Sequence, residues 1–255
     1  MDGFLCDGAV VREGGFMRDR SDRLEGFTVF AHRGASGHEP ENTLRAIRRA
    51  LSFGTTWVEV DVYCVEGELL VVHGGRLERT TNGTGKVMDR SLAYLRSLDA
   101  GKGEKIPFLR EVFDAVAGKA GLNVEMKGPA TSAPLAAFLN EDRRLFQLFS
   151  DRLIVSSLNH EELKRFKILM PSVMIGAVRN GPLPADASFA ERLGVVSVHV
   201  NKDYLRADFI LDAHRRGLKV FAFTVNTREE ISRCRALGVD GVFTDFPEVA
   251  STGRS

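Results

Sequence analysis

From Phe27 onward, short runs of β-branched and aromatic residues alternate with longer stretches whose apolar residues recur at helical spacing. The short runs fall at residues 28–32, 57–62, 122–127, 153–156, 173–178, 195–200, 219–224 and 238–244. Helical period marks residues 41–53, 109–117, 133–149, 160–167, 204–216 and 228–237. Eight strands with intervening helices predict a closed TIM-type (β/α)8 barrel of the α/β class, whose catalytic groups sit at the C-terminal ends of the strands. One segment breaks the alternation. After Asp61, residues 63–73 read as a strand, a Glu66-Gly67 turn and a second strand, followed by a glycine-rich, mostly polar stretch as far as Lys105. This predicts an insertion at about residues 63–106, folded over the barrel mouth, of a length that marks functional lids or disordered loops. Residues 1–26 are glycine-rich and charged and read as a loosely ordered extension, with Met17 a candidate physiological start; residues 27–255 read as one barrel domain.

The length of 255 residues is enough for such a barrel. A net charge of +1 with interspersed signs argues against a nucleic-acid partner or a membrane-surface binder. No apolar run reaches bilayer length, and the first residues lack the apolar core of a signal peptide, so no stable membrane insertion is expected. Cys6, Cys64 and Cys234 are odd in number, far apart and without metal-ligand spacing. They fit reduced thiols and a cytoplasmic location. Self-association is not legible.

Chemistry enters where charged residues sit on apolar strands. In Trp57-Val58-Glu59-Val60-Asp61-Val62, alternation sends Glu59 and Asp61 to one face and the valines to the other. Asn123-Val124-Glu125-Met126-Lys127 repeats the device, so neighbouring strands aim Glu59, Asp61 and Glu125 into one volume. Buried carboxylates need an offsetting charge. A hard-oxygen site of this kind suits one divalent cation, Mg²⁺ or Ca²⁺, with Mn²⁺ also compatible, rather than structural Zn²⁺. Internal pairing of Glu59 or Glu125 with Lys127 is the competing account. His32 and Arg33 close the first strand, and His73 closes the inserted hairpin. A lone histidine at a strand end is more often structural, but two flanking a carboxylate cluster can supply base and acid to a phosphodiester. Arg33 suits a forked contact with phosphate, and Lys127 adds a point charge.

These residues, with Pro40-Glu41-Asn42-Thr43, Arg79-Thr80-Thr81-Asn82-Gly83-Thr84-Gly85, Thr224-Val225-Asn226 and Gly241-Val242-Phe243-Thr244-Asp245, resemble the glycerophosphodiester phosphodiesterases over about residues 27–248. The resemblance implies a barrel binding one divalent cation through Glu59, Asp61 and Glu125, with His32 and His73 as the acid/base pair and Arg33 and Lys127 holding phosphate. It also implies a small phosphodiester substrate such as glycerophosphocholine or glycerophosphoethanolamine, cleaved to glycerol 3-phosphate and an alcohol. The implied route passes through a cyclic phosphate made by the substrate's own hydroxyl, whose effective concentration can reach roughly 10⁵ M or more. Two departures stand out. The family usually has an aspartate after the second histidine, where this chain has Gly74, and a tryptophan where it has Phe223. The alternatives are a phospholipase D-like enzyme acting on lysophospholipids and a non-catalytic binder of phosphate ligands. His199, Ser156 and Ser157 end strands and are candidates for core or pocket wall, and the Thr80–Gly85 run reads as turns in the lid more readily than as an anion cradle.

Overall fold

The computed structural model describes residues 24, 26–149 and 151–251. The extension at 1–26, including Cys6 and Met17, lies almost wholly outside the described residues. Among the described residues nine strands form one sheet: β1 (Thr28–Ala31), β2 (Trp57–Val65), β3 (Glu68–Val71), β4 (Gly121–Met126), β5 (Leu153–Ser157), β6 (Met174–Arg179), β7 (Ser197–Asn201), β8 (Lys219–Phe223) and β9 (Gly241–Thr244). All but β3 run parallel, and β1 pairs with both β9 and β2, which closes the cylinder. The chain is a TIM barrel.

Helices α1 (Leu44–Ser52), α3 (Leu109–Val116), α4 (Ser132–Glu141), α5 (Arg143–Leu148), α6 (His160–Leu169), α7 (Ser188–Leu193), α8 (Ala207–Arg215), α9 (Arg228–Ala236) and α10 (Pro247–Ser251) join or follow the strands, and α2 (Leu92–Ser97) lies in the insertion. The first helix starts three residues later than its apolar period suggests, because Thr43 caps it by accepting from the Ala46 amide at 3.2 Å. Glu41 and Asn42 are thereby left outside it. The single helix expected over 133–149 is two, since the Asp142 carboxylate accepts from the Leu145 amide at 2.9 Å and begins a new one. Helix α7 has six residues, too few to show a period.

The two faces of the strands separate two kinds of packing. Val58, Val60, Val62, Leu122, Val124, Val155, Val198 and Val220 point outward and join the helices in the main core. Inside, Phe30, Trp57, Ile154, Met174, Phe221 and Phe243 fill the lower barrel. The rings of Phe30 and Phe243 stack at 4.5 Å, and Phe221 meets Phe30 edge-on at 5.0 Å. Each such ring contributes roughly 1.5–3 kcal/mol of burial. Gly121 stands opposite Trp57 because a Cβ there would come within 2.6 Å of the indole. Two residues further along β2 the inner face becomes polar: Glu59, Asp61, Asn123, Ser156 and His199 are all buried above this apolar plug.

The insertion is not the mostly polar loop its composition suggests. Its scattered apolar residues converge: Leu70, Val72, Leu77, Val87, Leu95, Leu98 and Ile106 pack with Tyr63 and Val65 into a small core of their own. Because β3 pairs with β2 from Val62↔Val71 to Val65↔Glu68, the second strand runs past its expected end. The Thr80–Gly85 amides are spent internally. Asn82 donates to Asp99 O at 3.0 Å and Gly85 to Glu78 Oε1 at 2.9 Å, so the turn reading holds there. Ion pairs fasten the insertion to the loop between β1 and α1: Lys102 Nζ to Glu39 at 2.7 Å and Arg79 Nη2 to Glu41 at 2.5 Å.

Candidate active site

A cavity of about 300 Å³ opens at the C-terminal end of the barrel, lined by His32, Arg33, Glu59, His73, Glu125 and Lys127 on one side. Its other wall includes Leu158, Val178, His199, Phe223 and Phe243. The seventh predicted site residue, Asp61, is buried behind this surface.

Glu59, Asp61 and Glu125 each place an oxygen within 4.8 Å of the others. Asp61 and Glu125 are register partners on β2 and β4, so their meeting follows from strand alternation. Glu125 does not turn toward the outer helices; it lines the cavity. The competing account, internal ion pairing, holds for two of the three. Lys127 Nζ lies 2.8 Å from Glu125 and 3.5 Å from Asp61. Arg33 Nε is 3.1 Å from Asp61 Oδ2, a charge contact without hydrogen-bond alignment. Asp61 also accepts from Asn42 Nδ2 at 2.9 Å. Burial alone would raise the Asp61 pKa, but Lys127, Arg33 and this network hold it below its ordinary value. Glu59 is different. Its Oε2 accepts the Arg33 amide at 2.8 Å, while its Oε1 is buried with no hydrogen-bond partner. Burial, reinforced by Asp61 and Glu125, pushes its carboxyl well above the usual range. Burial likewise raises Glu125, against the pull of Lys127.

Local backbone brings the loop to this cluster. Arg33 and Asn42 both have left-handed backbone, φ 58° and 59°, a conformation uncommon for non-glycine residues and frequent at functional sites. Gly34 follows at φ 79°, where a Cβ would strike the Ala46 carbonyl carbon at 2.6 Å. The loop therefore sits against α1, aiming the Arg33 guanidinium at Asp61 and at Glu41, whose oxygens accept from Nη1 at 3.1 and 3.2 Å.

The histidines have unlike partners. His32 Nδ1 lies 2.7 Å from Asp245 Oδ1, and Asn226 Nδ2 donates to Asp245 Oδ2 at 2.7 Å. Ser36 Oγ stands 2.8 Å from the same Oδ1. Although burial opposes it, His32 and these donors hold the Asp245 carboxyl well below its ordinary range. His73 Nδ1 instead faces Arg79 Nη2 at 2.6 Å. Burial, then the charges of Arg33, Lys127 and Arg79, bring His73 down to about 3 against the opposing Asp61. Asp245, Asn226, Asn42, Glu41 and Arg79 all lie in the motifs of the resemblance, but spacing assigns them no role; only Asn226 and Asp245, just past the ends of β8 and β9, carry a positional signal.

His199 is both core and wall. It packs among Phe30, Phe221 and Phe243 with Nε2 3.0 Å from Ser197 Oγ, and burial lowers it to about 3. Ser156 accepts from Asn123 Nδ2 at 3.0 Å, and Ser157 donates to Met126 O at 2.7 Å, so both serines are structural. Phe223 keeps an apolar ring in the wall. At Gly74 a Cβ would stand 2.7 Å from the Arg76 carbonyl oxygen, so this backbone has no room for an aspartate. No helix among the described residues is long and apolar enough to cross a membrane.

Known proteins agree with this architecture. The glycerophosphoryl diester phosphodiesterase family matches residues 32–249. A glycerophosphodiester phosphodiesterase of Caldanaerobacter subterraneus is 35% identical over 234 residues, 86% of this chain and 94% of that one. One from Bacillus altitudinis is 32% identical over 87% of this chain and 96% of its own. Among solved structures, an Oleispira antarctica phosphodiesterase in complex with its product sn-glycerol-3-phosphate superposes with a TM-score of 0.80 at 31% identity, covering 89% of this chain and 96% of that one. With the acid cluster, the two histidines and the residues lining the cavity all inside the matched span, the chain belongs to the glycerophosphoryl diester phosphodiesterase family and is an enzyme of that class, a phosphoric diester hydrolase.

Proposed function

We propose that the protein hydrolyses glycerophosphodiesters such as glycerophosphocholine or glycerophosphoethanolamine to glycerol 3-phosphate and an alcohol, with one divalent cation held by Glu59, Asp61 and Glu125. The observation that carries this reading is the convergence of Glu59, Glu125, His32, His73, Arg33 and Lys127 on one cavity, with Asp61 completing the acid cluster just behind its wall. The cation fits for a specific reason: ion pairing accounts for Asp61 and Glu125 but leaves Glu59 Oε1 buried and unpartnered, and an all-oxygen donor set suits Mg²⁺, Ca²⁺ or Mn²⁺. When bound, such an ion acidifies a coordinated hydroxyl and neutralises charge developing on phosphorus.

The chain's own groups do the rest. Arg33 and Lys127 hold the phosphate. The substrate's neighbouring hydroxyl gives its proton to His32 Nε2 as its oxygen bonds to phosphorus, and the bond to the head-group oxygen breaks, that oxygen leaving as the alcohol with a proton returned from His32 through water. Water then opens the cyclic phosphate to glycerol 3-phosphate, so the net reaction consumes one water. His32 and His73 are the groups placed to serve the attacking and departing oxygens. The sn-glycerol-3-phosphate bound in the Oleispira structure supports this choice of product. A reducing cytoplasmic setting suits Cys64 and Cys234, both free thiols.

Release of glycerol 3-phosphate from glycerophosphocholine, followed by phosphorus NMR, tests the proposal. The expected result is turnover lost in excess chelator and restored by Mg²⁺, Ca²⁺ or Mn²⁺; undiminished turnover in chelator would overturn the metal assignment. The same spectra identify a stable cyclic product from lysophospholipid. For an acyl chain that reading has Leu158, 47% exposed, and the less exposed Val178, Phe223 and Phe243 as apolar contacts at the cavity wall.

A further inference from the structure

We infer that Arg79 is a positioning residue for His73, fixing its proton on Nε2, so that His73 serves as a neutral hydrogen-bond donor to the phosphodiester while proton transfer centres on His32. The inference rests on the proposed reaction for its catalytic half and on geometry alone for the tautomer.

A guanidinium has five N–H donors and no acceptor. With Arg79 Nη2 at 2.6 Å, His73 Nδ1 can only be the accepting nitrogen, and the ring proton must be on Nε2. Arg79 is itself fixed. It closes the short turn Leu77–Arg79 of the insertion, and Glu41 Oε1 takes the same Nη2 at 2.5 Å. Glu41 in turn accepts from Arg33. Thus Arg33, Glu41, Arg79 and His73 form one chain of contacts, from the phosphate-binding arginine to the second imidazole. It also fastens the insertion to the barrel.

The contrast with His32 gives the arrangement its consequence. A carboxylate on Nδ1 takes an N–H, leaves Nε2 as the acceptor, and stays paired with the ring once Nε2 gains a proton. A guanidinium on Nδ1 does the reverse, because protonating that ring would place an N–H against an N–H. Gly74 fits the same picture: Arg76 O occupies the space a Cβ would need, so no carboxylate side chain on this backbone competes with Arg79 for Nδ1. His73 Nε2–H can then stabilise charge on the phosphoryl group without giving up its proton. The departing alkoxide takes a proton from water, and the hydroxide left behind takes the one held on His32, which balances the cycle.

Two measurements test this together. Long-range ¹H–¹⁵N spectra of protein labelled at its six histidines, with His73 identified by its loss in His73→Gln, should show Nε2 protonated and Nδ1 bare. Arg79→Met should convert this to a mixture of tautomers and lower kcat by a few-fold, less than the roughly tenfold limit set by removing the imidazole donor itself, with KM changed far less. Arg79→Lys should restore the single pattern in part. On the catalytic side, glutamine can donate a hydrogen bond but cannot carry the proton. His73→Gln should therefore retain activity within about tenfold of the parent, a cost near 1.4 kcal/mol, while His32→Gln falls by about 10²–10⁴-fold. A protonated Nδ1 in the parent, or an unchanged pattern in Arg79→Met, would overturn the tautomer assignment. Equal losses in the two glutamine variants would overturn the division of labour. If the parent turned over no glycerophosphodiester, the proposed function would fail, and the spectra would still decide the tautomer.

Discussion

His32 and His73 line the same cavity, yet their surroundings share little. The Nδ1 partner of His32 is a carboxylate 213 residues away, held by Asn226 and Ser36. That of His73 is a guanidinium six residues along, on an insertion with its own small core. In the proposed reaction one imidazole accepts a proton at Nε2 and the other presents one. Residue type alone does not assign a histidine's role; the group behind it does.

The largest expected effect comes from making the first histidine resemble the second. In Asp245→Asn the carboxamide can offer an N–H to His32 Nδ1, which forces the proton onto Nε2 and removes the base. The wrong tautomer costs about 10⁴-fold in the serine proteases, and a fall in kcat of about 10²–10⁴-fold is expected here, with the His32 nitrogen spectrum changing to match. A variant that kept parental kcat would show that Asp245 merely packs. A smaller effect is expected from the reverse change, Gly74→Asp, which offers His73 a carboxylate. Its Cβ must displace the Arg76 carbonyl, at a cost of about 1–3 kcal/mol, or a melting temperature lower by about 2–10 °C. No gain in kcat should accompany it. A faster enzyme with an undiminished melting temperature would mean that a carboxylate reaches Nδ1 after all, and that Arg79 is a replaceable partner.

Much of this was legible in the chain because local rules govern it. Alternation along Trp57–Val62 and Asn123–Lys127 fixes which side chains enter the barrel, and parallel register then brings Asp61 beside Glu125. Helix boundaries were less legible, since Thr43 and Asp142 decide them by capping rather than by apolar period. Composition hides the packing of the insertion: Leu77, Val87, Leu95 and Leu98 are sparse in sequence and form a core only when folded together. The partners of the histidines were out of reach of periodicity altogether. Asp245 meets His32 only because β9 closes the barrel against β1, and Arg79 meets His73 only through the path of a turn.

The proposed reaction requires that the acid cluster beside the two histidines be a cation site. The most direct measurement is calorimetric titration of chelator-stripped protein with Mn²⁺, on the parent and on Glu59→Gln. The parent should take up one ion per chain. Glu59→Gln should bind at least about tenfold more weakly while melting no lower than the stripped parent, because it removes a buried charge that Asp61 and Glu125 oppose. No uptake by the parent, or equal affinity in the two proteins, would contradict the account.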